Sequence, residues 1–82
     1  MTKQEANQYM SAILTTAAEV EPAPIPESAA YMVMGMNLPK WETIKSVLLR
    51  AGLMVSVNHG MTLTDAGRDM AAKIEAFRLA HA

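Results

Sequence analysis

The chain has 82 residues, no cysteine, 51% hydrophobic and 18% charged residues, and seven basic side chains against eight acidic ones. That length bounds it to one domain with a thin core, and the missing cysteines exclude a disulfide framework, a thiol nucleophile and a cysteine zinc site. A formal charge of −1 excludes coating of nucleic acid by bulk electrostatics.

The charge is unevenly spread, because residues 1–35 carry Lys3 against Glu5, Glu19, Glu21 and Glu27, whereas residues 36–82 carry six bases against Glu42, Asp65, Asp69 and Glu75. The basic half is the C-terminal one. No basic-then-apolar leader opens the chain and no apolar run approaches ~18 residues, so a soluble, cytoplasmic protein is expected.

In chain order, residues 3–18 read as an amphipathic helix, with Ala6, Met10, Ile13, Leu14 and Ala17 recurring on a helical period. Thr2 and Glu5 have the spacing of a capping box, in which each side chain takes an orphaned backbone N–H. Residues 21–26, Glu-Pro-Ala-Pro-Ile-Pro, form a stiff connector that cannot be helical inside. From Glu27 to Met36 a short second helix is expected with Ala29, Met32, Val33 and Met36 on its buried face, ending at Gly35-Met-Asn37. Pro39 then opens a third helix, residues 39–51, whose buried stripe is Ile44, Val47, Leu48 and Ala51 and whose stop is Gly52.

Beyond Gly52 the period changes from 3.6 to 2. Leu53 to Val57 and Met61 to Thr64 alternate around Asn58-His59-Gly60, which is the chemistry of a short β-hairpin. Thr64 or Asp65 caps a last helix over about residues 65–80, with Ala66, Met70, Ile74 and Phe77 expected to face inward. The fold class is therefore mainly α with a small hairpin, in the order α-α-α-β-β-α, and residues 1–82 form a single domain.

Two short helices across a tight turn, followed at once by a hairpin, resemble the winged helix-turn-helix arrangement. The segment Leu48-Leu-Arg-Ala-Gly-Leu-Met54 looks like a recognition helix running into the first wing strand. Met61-Thr-Leu-Thr-Asp-Ala-Gly-Arg-Asp-Met70 looks like the second strand running into the last helix. Its Leu63, Thr64, Gly67 and Arg68 are similar to an element of many prokaryotic winged-helix regulators of the MarR/PadR-like kind. The resemblance covers about residues 10–77 and implies a small DNA-binding protein, a transcriptional regulator of a prokaryote or phage. It also implies a homodimer joined through its terminal helices, with two recognition helices facing a palindromic site.

On that resemblance the third helix enters the major groove, where Lys40, Thr43, Lys45, Ser46 and Arg50 are the available donors, among the acidic Glu42 and the apolar Leu49. Trp41 is read as a core plug rather than a DNA contact. The wing tip offers only Asn58 and His59, and Arg68 either pairs with a neighbouring carboxylate or reaches a phosphate. Phe77 on the tail helix is assigned to the dimer seam. Tyr31 and Met34, opposite the expected buried stripe of the second helix, are assigned to a partner contact. The rival reading is a winged-helix protein-interaction module without DNA binding, with Tyr31, Met34 and Leu49 as its docking residues. Catalysis is not expected. The two histidines, His59 and His81, stand apart, and neither a Gly-rich phosphate loop nor a cofactor motif is present.

Overall fold

Three side-chain caps set where the long helices begin. In the computed structural model, which describes residues 1–81, Thr2 accepts from Glu5 N–H, Asn37 from Lys40 N–H and Thr64 from Gly67 N–H. They open α1 (Lys3–Val20), α3 (Leu38–Arg50) and α4 (Asp65–Ala80), while α2 (Glu27–Val33) starts behind Pro26 without a side-chain cap. Between α3 and α4 lie β1 (Met54–Val57) and β2 (Gly60–Leu63), an antiparallel hairpin that turns through Asn58-His59. The order α-α-α-β-β-α is a winged-helix-like layout. No helix among the described residues is long and apolar enough to cross a membrane.

The core is a single cluster. Ile13, Leu14 and Ala17 of α1 meet Ala30 and Met34 around α2, Trp41, Ile44 and Leu48 of α3, Met54, Met61 and Leu63 of the hairpin, and Ala71 of α4. Ile25 joins them, and its N–H and carbonyl exchange two 2.9 Å bonds with Met61. The proline-rich connector thus supplies one residue of strand to the outer edge of β2, an arrangement the proline spacing does not predict. Gly60 makes room for it, since a Cβ there would stand 2.1 Å from the Ile25 carbonyl oxygen.

Several buried faces differ from those the periodicity predicts. In α2 the helix stops at Val33 and the chain reverses through left-handed Gly35 and Met36. Met34, one turn beyond the buried Ala30 and still bonded through its N–H to the Ala30 carbonyl, is in the core at 1% exposure, while Met32 and Met36 lie outside at 67% and 61%. In β1 it is Met54 that faces inward, while Val55 and Val57 face solvent. Ala51, expected in the stripe of α3, is exposed because the helix has ended in front of Gly52.

In α4 the inward residues are Gly67 and Ala71, with Ile74 half-buried, and Met70 and Phe77 are exposed. The reason is distance. Small side chains let α4 approach the hairpin junction and α1 closely, so the face with the least bulk is the one that packs. Thr64 ties the same junction, donating its hydroxyl to the Gly52 carbonyl while capping α4.

Gly67→Ala tests this packing. Its Cβ would lie 2.0 Å from the Leu53 carbonyl oxygen, so the variant should lose about 2–4 kcal/mol in a urea melt. Unchanged stability would mean that α4 does not sit this close.

Candidate nucleic-acid interface

The outward side of α3 is fixed by its inward one. Trp41, Ile44 and Leu48 are buried, Trp41 as the expected core plug, so Pro39, Thr43, Ser46 and Arg50 form the opposite strip at intervals of four, three and four. Thr43 and Arg50 are exposed and Ser46 is half-buried. The Thr43 hydroxyl donates to the Pro39 carbonyl at 3.1 Å, so its proton is engaged and it presents lone pairs and a methyl group outward. Arg50 stands in the last turn and makes no ion pair among the described residues.

The two lysines of this helix lie on its flanks. On the side toward α1, Lys40 Nζ is 2.7 Å from Glu5 Oε1 and 5.7 Å from the centre of the Tyr9 ring. The Glu5 side chain is about one-third exposed, yet Oε1 itself is shielded from solvent and has no well-aligned hydrogen bond. The ammonium contact is its compensation. This pairing holds the Glu5 carboxyl below its ordinary range and the Lys40 ammonium above its own, each chiefly through the bond to the other. It also undoes half of the expected capping box, because Glu5 turns to Lys40 rather than back to Thr2. On the side toward α2, Lys45 Nζ donates to Glu27 Oε1 at 2.6 Å.

Arg68, a candidate phosphate contact, is committed elsewhere. Its Nε donates to Glu21 Oε2 at 3.0 Å and its Nη1 to Asp65 Oδ1 at 2.7 Å, which straps the connector to the first turn of α4. The guanidinium is held above its usual range by these bonds, that to Glu21 first. His59 is exposed at the wing tip beside Asn58, and residues 54–63 contain no lysine or arginine. The candidate residues therefore divide three ways: Thr43, Ser46 and Arg50 share the outward strip, Lys40 and Lys45 border it in ion pairs, and His59 and Arg68 stand on other elements.

Of the candidate partner contacts, Met34 is a core residue and is withdrawn, since it shares the buried face of α2 with Ala30, one turn before it. Tyr31 is half-buried against the core. Phe77 is 65% exposed and stacks on His81 with ring centres 4.0 Å apart. Periodicity missed the exposed apolar corner formed by Met32, Met36 and Leu38 between α2 and α3.

It also missed Glu5, Glu21 and Glu27 as partners of Lys40, Arg68 and Lys45. The one signal for these three pairs was the opposite charge of the two halves of the chain. A groove of about 460 Å³ between α1 and α4 is lined by small side chains and by Glu19, Glu21, Arg68 and Glu75, of which Glu21 pairs with Arg68 inside it and Glu75 with Arg78 beyond it. No three His, Asp or Glu side chains converge among the described residues.

No family model, no curated protein and no solved structure matches the chain.

The Glu5–Lys40 pair predicts a pH signature. A carboxyl whose native pKa is depressed stabilises the fold above its unfolded value, and that contribution is lost as pH falls through the lower native value. Glu5→Gln should therefore melt below wild type at about pH 7, with the gap closing toward about pH 3. A gap that stays constant with pH would show that the charge of Glu5 is not what Lys40 needs.

Proposed function

We propose that this chain is a small winged-helix DNA-binding protein that acts as a cytoplasmic transcriptional regulator of a prokaryote or phage. In this reading α3 lies in the major groove of duplex DNA. The observation that carries it is the outward strip of α3, where Arg50, without an ion pair among the described residues, and the hydroxyls of Thr43 and Ser46 follow one another beside a hairpin wing. Arg50 suits a phosphate or a guanine edge, and the hydroxyls suit either phosphates or bases. The elements at Leu48–Met54 and Met61–Met70, which resemble those of MarR/PadR-like regulators, support the same reading.

A homodimer belongs to this proposal, because one strip with a single free cation makes few phosphate contacts and a twofold pair doubles them. Exposed Phe77 and Leu79 near the end of α4 are the apolar residues available for its seam.

A second reading is supported by a different observation. Met32, Met36 and Leu38 are more than half exposed at the corner where α2 meets α3, beside paired lysines and a wing without lysine or arginine. These features suit a protein-interaction module that docks an apolar partner surface and leaves DNA alone.

Salt separates the two. Duplex binding measured by fluorescence anisotropy should weaken as salt rises, and Arg50→Ala should lower the affinity and reduce the logarithmic salt slope by about one per chain, about two for the twofold pair. Absence of binding at the lowest salt would favour the interaction module. For the dimer, Phe77→Asp places a carboxylate in the seam and should halve the mass seen by light scattering. A variant that keeps a dimer's mass would move the seam away from Phe77.

A further inference from the structure

The lysines bordering the α3 strip are neutralised unequally. Lys40 is lodged between the Tyr9 ring and a Glu5 oxygen that solvent does not reach, so opening that pair strands a shielded carboxylate oxygen. The Lys45 pair is of another kind. Its Glu27 carboxylate is half exposed, projects from the first turn of α2 and makes no other hydrogen bond, so water replaces Lys45 around it at little cost. Lys45 is next to Ser46 in sequence, and its four-carbon stem allows the ammonium to swing from the α2 side toward the outward strip.

We infer that duplex DNA binds α3 by exchange, a phosphate displacing the Glu27 carboxylate from Lys45 while the Lys40–Glu5 pair stays closed, so that Glu27 sets affinity without touching the DNA. The inference rests on the DNA-binding reading above. Its chemistry is specific. Each backbone phosphate carries one negative charge, as the carboxylate does, but the duplex offers Lys45 a row of them, and binding must first break the 2.6 Å pair. The freed carboxylate then stands beside the duplex, and its repulsion offsets part of the attraction of Lys45. Lys45 therefore adds less to the salt slope of the wild-type protein than an unpaired lysine would, although it adds a contact.

The test uses the full chain and a labelled duplex. Glu27→Gln leaves Lys45 unpaired, so affinity should rise about three- to tenfold at low salt and the salt slope should steepen by up to about one per chain. Asp69→Asn makes the same change in net charge at an exposed α4 carboxylate without an ion pair, and should change affinity less than about twofold. In a Lys45→Met background the gain from Glu27→Gln should vanish. Matching melting curves establish that each variant is folded.

A gain equal to that of Asp69→Asn, or one that survives Lys45→Met, overturns the exchange. If Arg50→Ala still weakens binding in that case, the DNA reading stands and only the role of Glu27 falls. If neither the wild type nor Glu27→Gln binds the duplex at the lowest salt, the DNA reading falls and the exchange with it.

Discussion

The reciprocal backbone bonds between Ile25 and Met61 determine where the charges of this molecule end up. By adding Ile25 to the edge of β2, they fix a connector that would otherwise be only a spacer between two helices. Glu21 lies four residues before that anchor and Glu27 two after it. Once the connector is fixed, Glu21 meets Arg68 at the start of α4 and Glu27 meets Lys45 on the flank of α3. Two prolines bracket the anchor, and their restricted backbones keep the segment extended with little entropy left to lose. The shared geometry of Ile25, Met61 and Gly60 therefore controls the electrostatics of α3, although none of the three is charged.

These ion pairs do not hold the fold together. Exposed or half-exposed pairs are each worth roughly 0–1 kcal/mol, less than the burial of a single large core side chain at about 1.5–3 kcal/mol. The core cluster and the close approach at Gly67 carry the stability. The consequence of the pairs lies in the potential around the candidate interface. The acidic N-terminal half folds back on the basic C-terminal half, and three of its four carboxylates take cations that a nucleic acid would otherwise meet. A surface that is basic in sequence becomes nearly neutral in space.

Order and type of the elements were readable from periodicity, glycines and caps, because those signals are local: Thr64 caps the helix it precedes, and Gly52 ends the helix it follows with a positive φ. Burial of Trp41, Ile44 and Leu48 followed from the same local pattern. What failed is non-local. The α4 face was assigned to its bulkiest apolar residues, Met70 and Phe77, whereas close packing selected Gly67 and Ala71. Met34 was assigned outward because a seven-residue helix has too few turns to fix its own phase, and it is the Ala30 and Met34 face that packs on the core. Thr43, Ser46 and Arg50 lie on the side of α3 away from the core, as helical spacing predicts. Arg68 pairs with a neighbouring carboxylate, Asp65, as one of its two expected roles had it. Its bond to Glu21 and the pairs of Lys40 and Lys45 depend on acids 47, 35 and 18 residues away, beyond the reach of any local pattern.

Near-neutrality also constrains how such a protein would find a duplex. With a formal charge of −1 per chain, a twofold pair has no net positive field to draw DNA from a distance, and salt screens what local field remains within about 10 Å. Binding would have to be decided at contact, where Arg50 and the hydroxyls of Thr43 and Ser46 meet groove atoms directly. Contacts of that kind weigh base identity and groove shape more heavily than a basic patch does, because the sequence-independent phosphate term is small. On the proposed function, a neutralised flank would lower total affinity while enlarging the share of it that depends on sequence. For a regulator, that share is what separates one site from the rest of a genome.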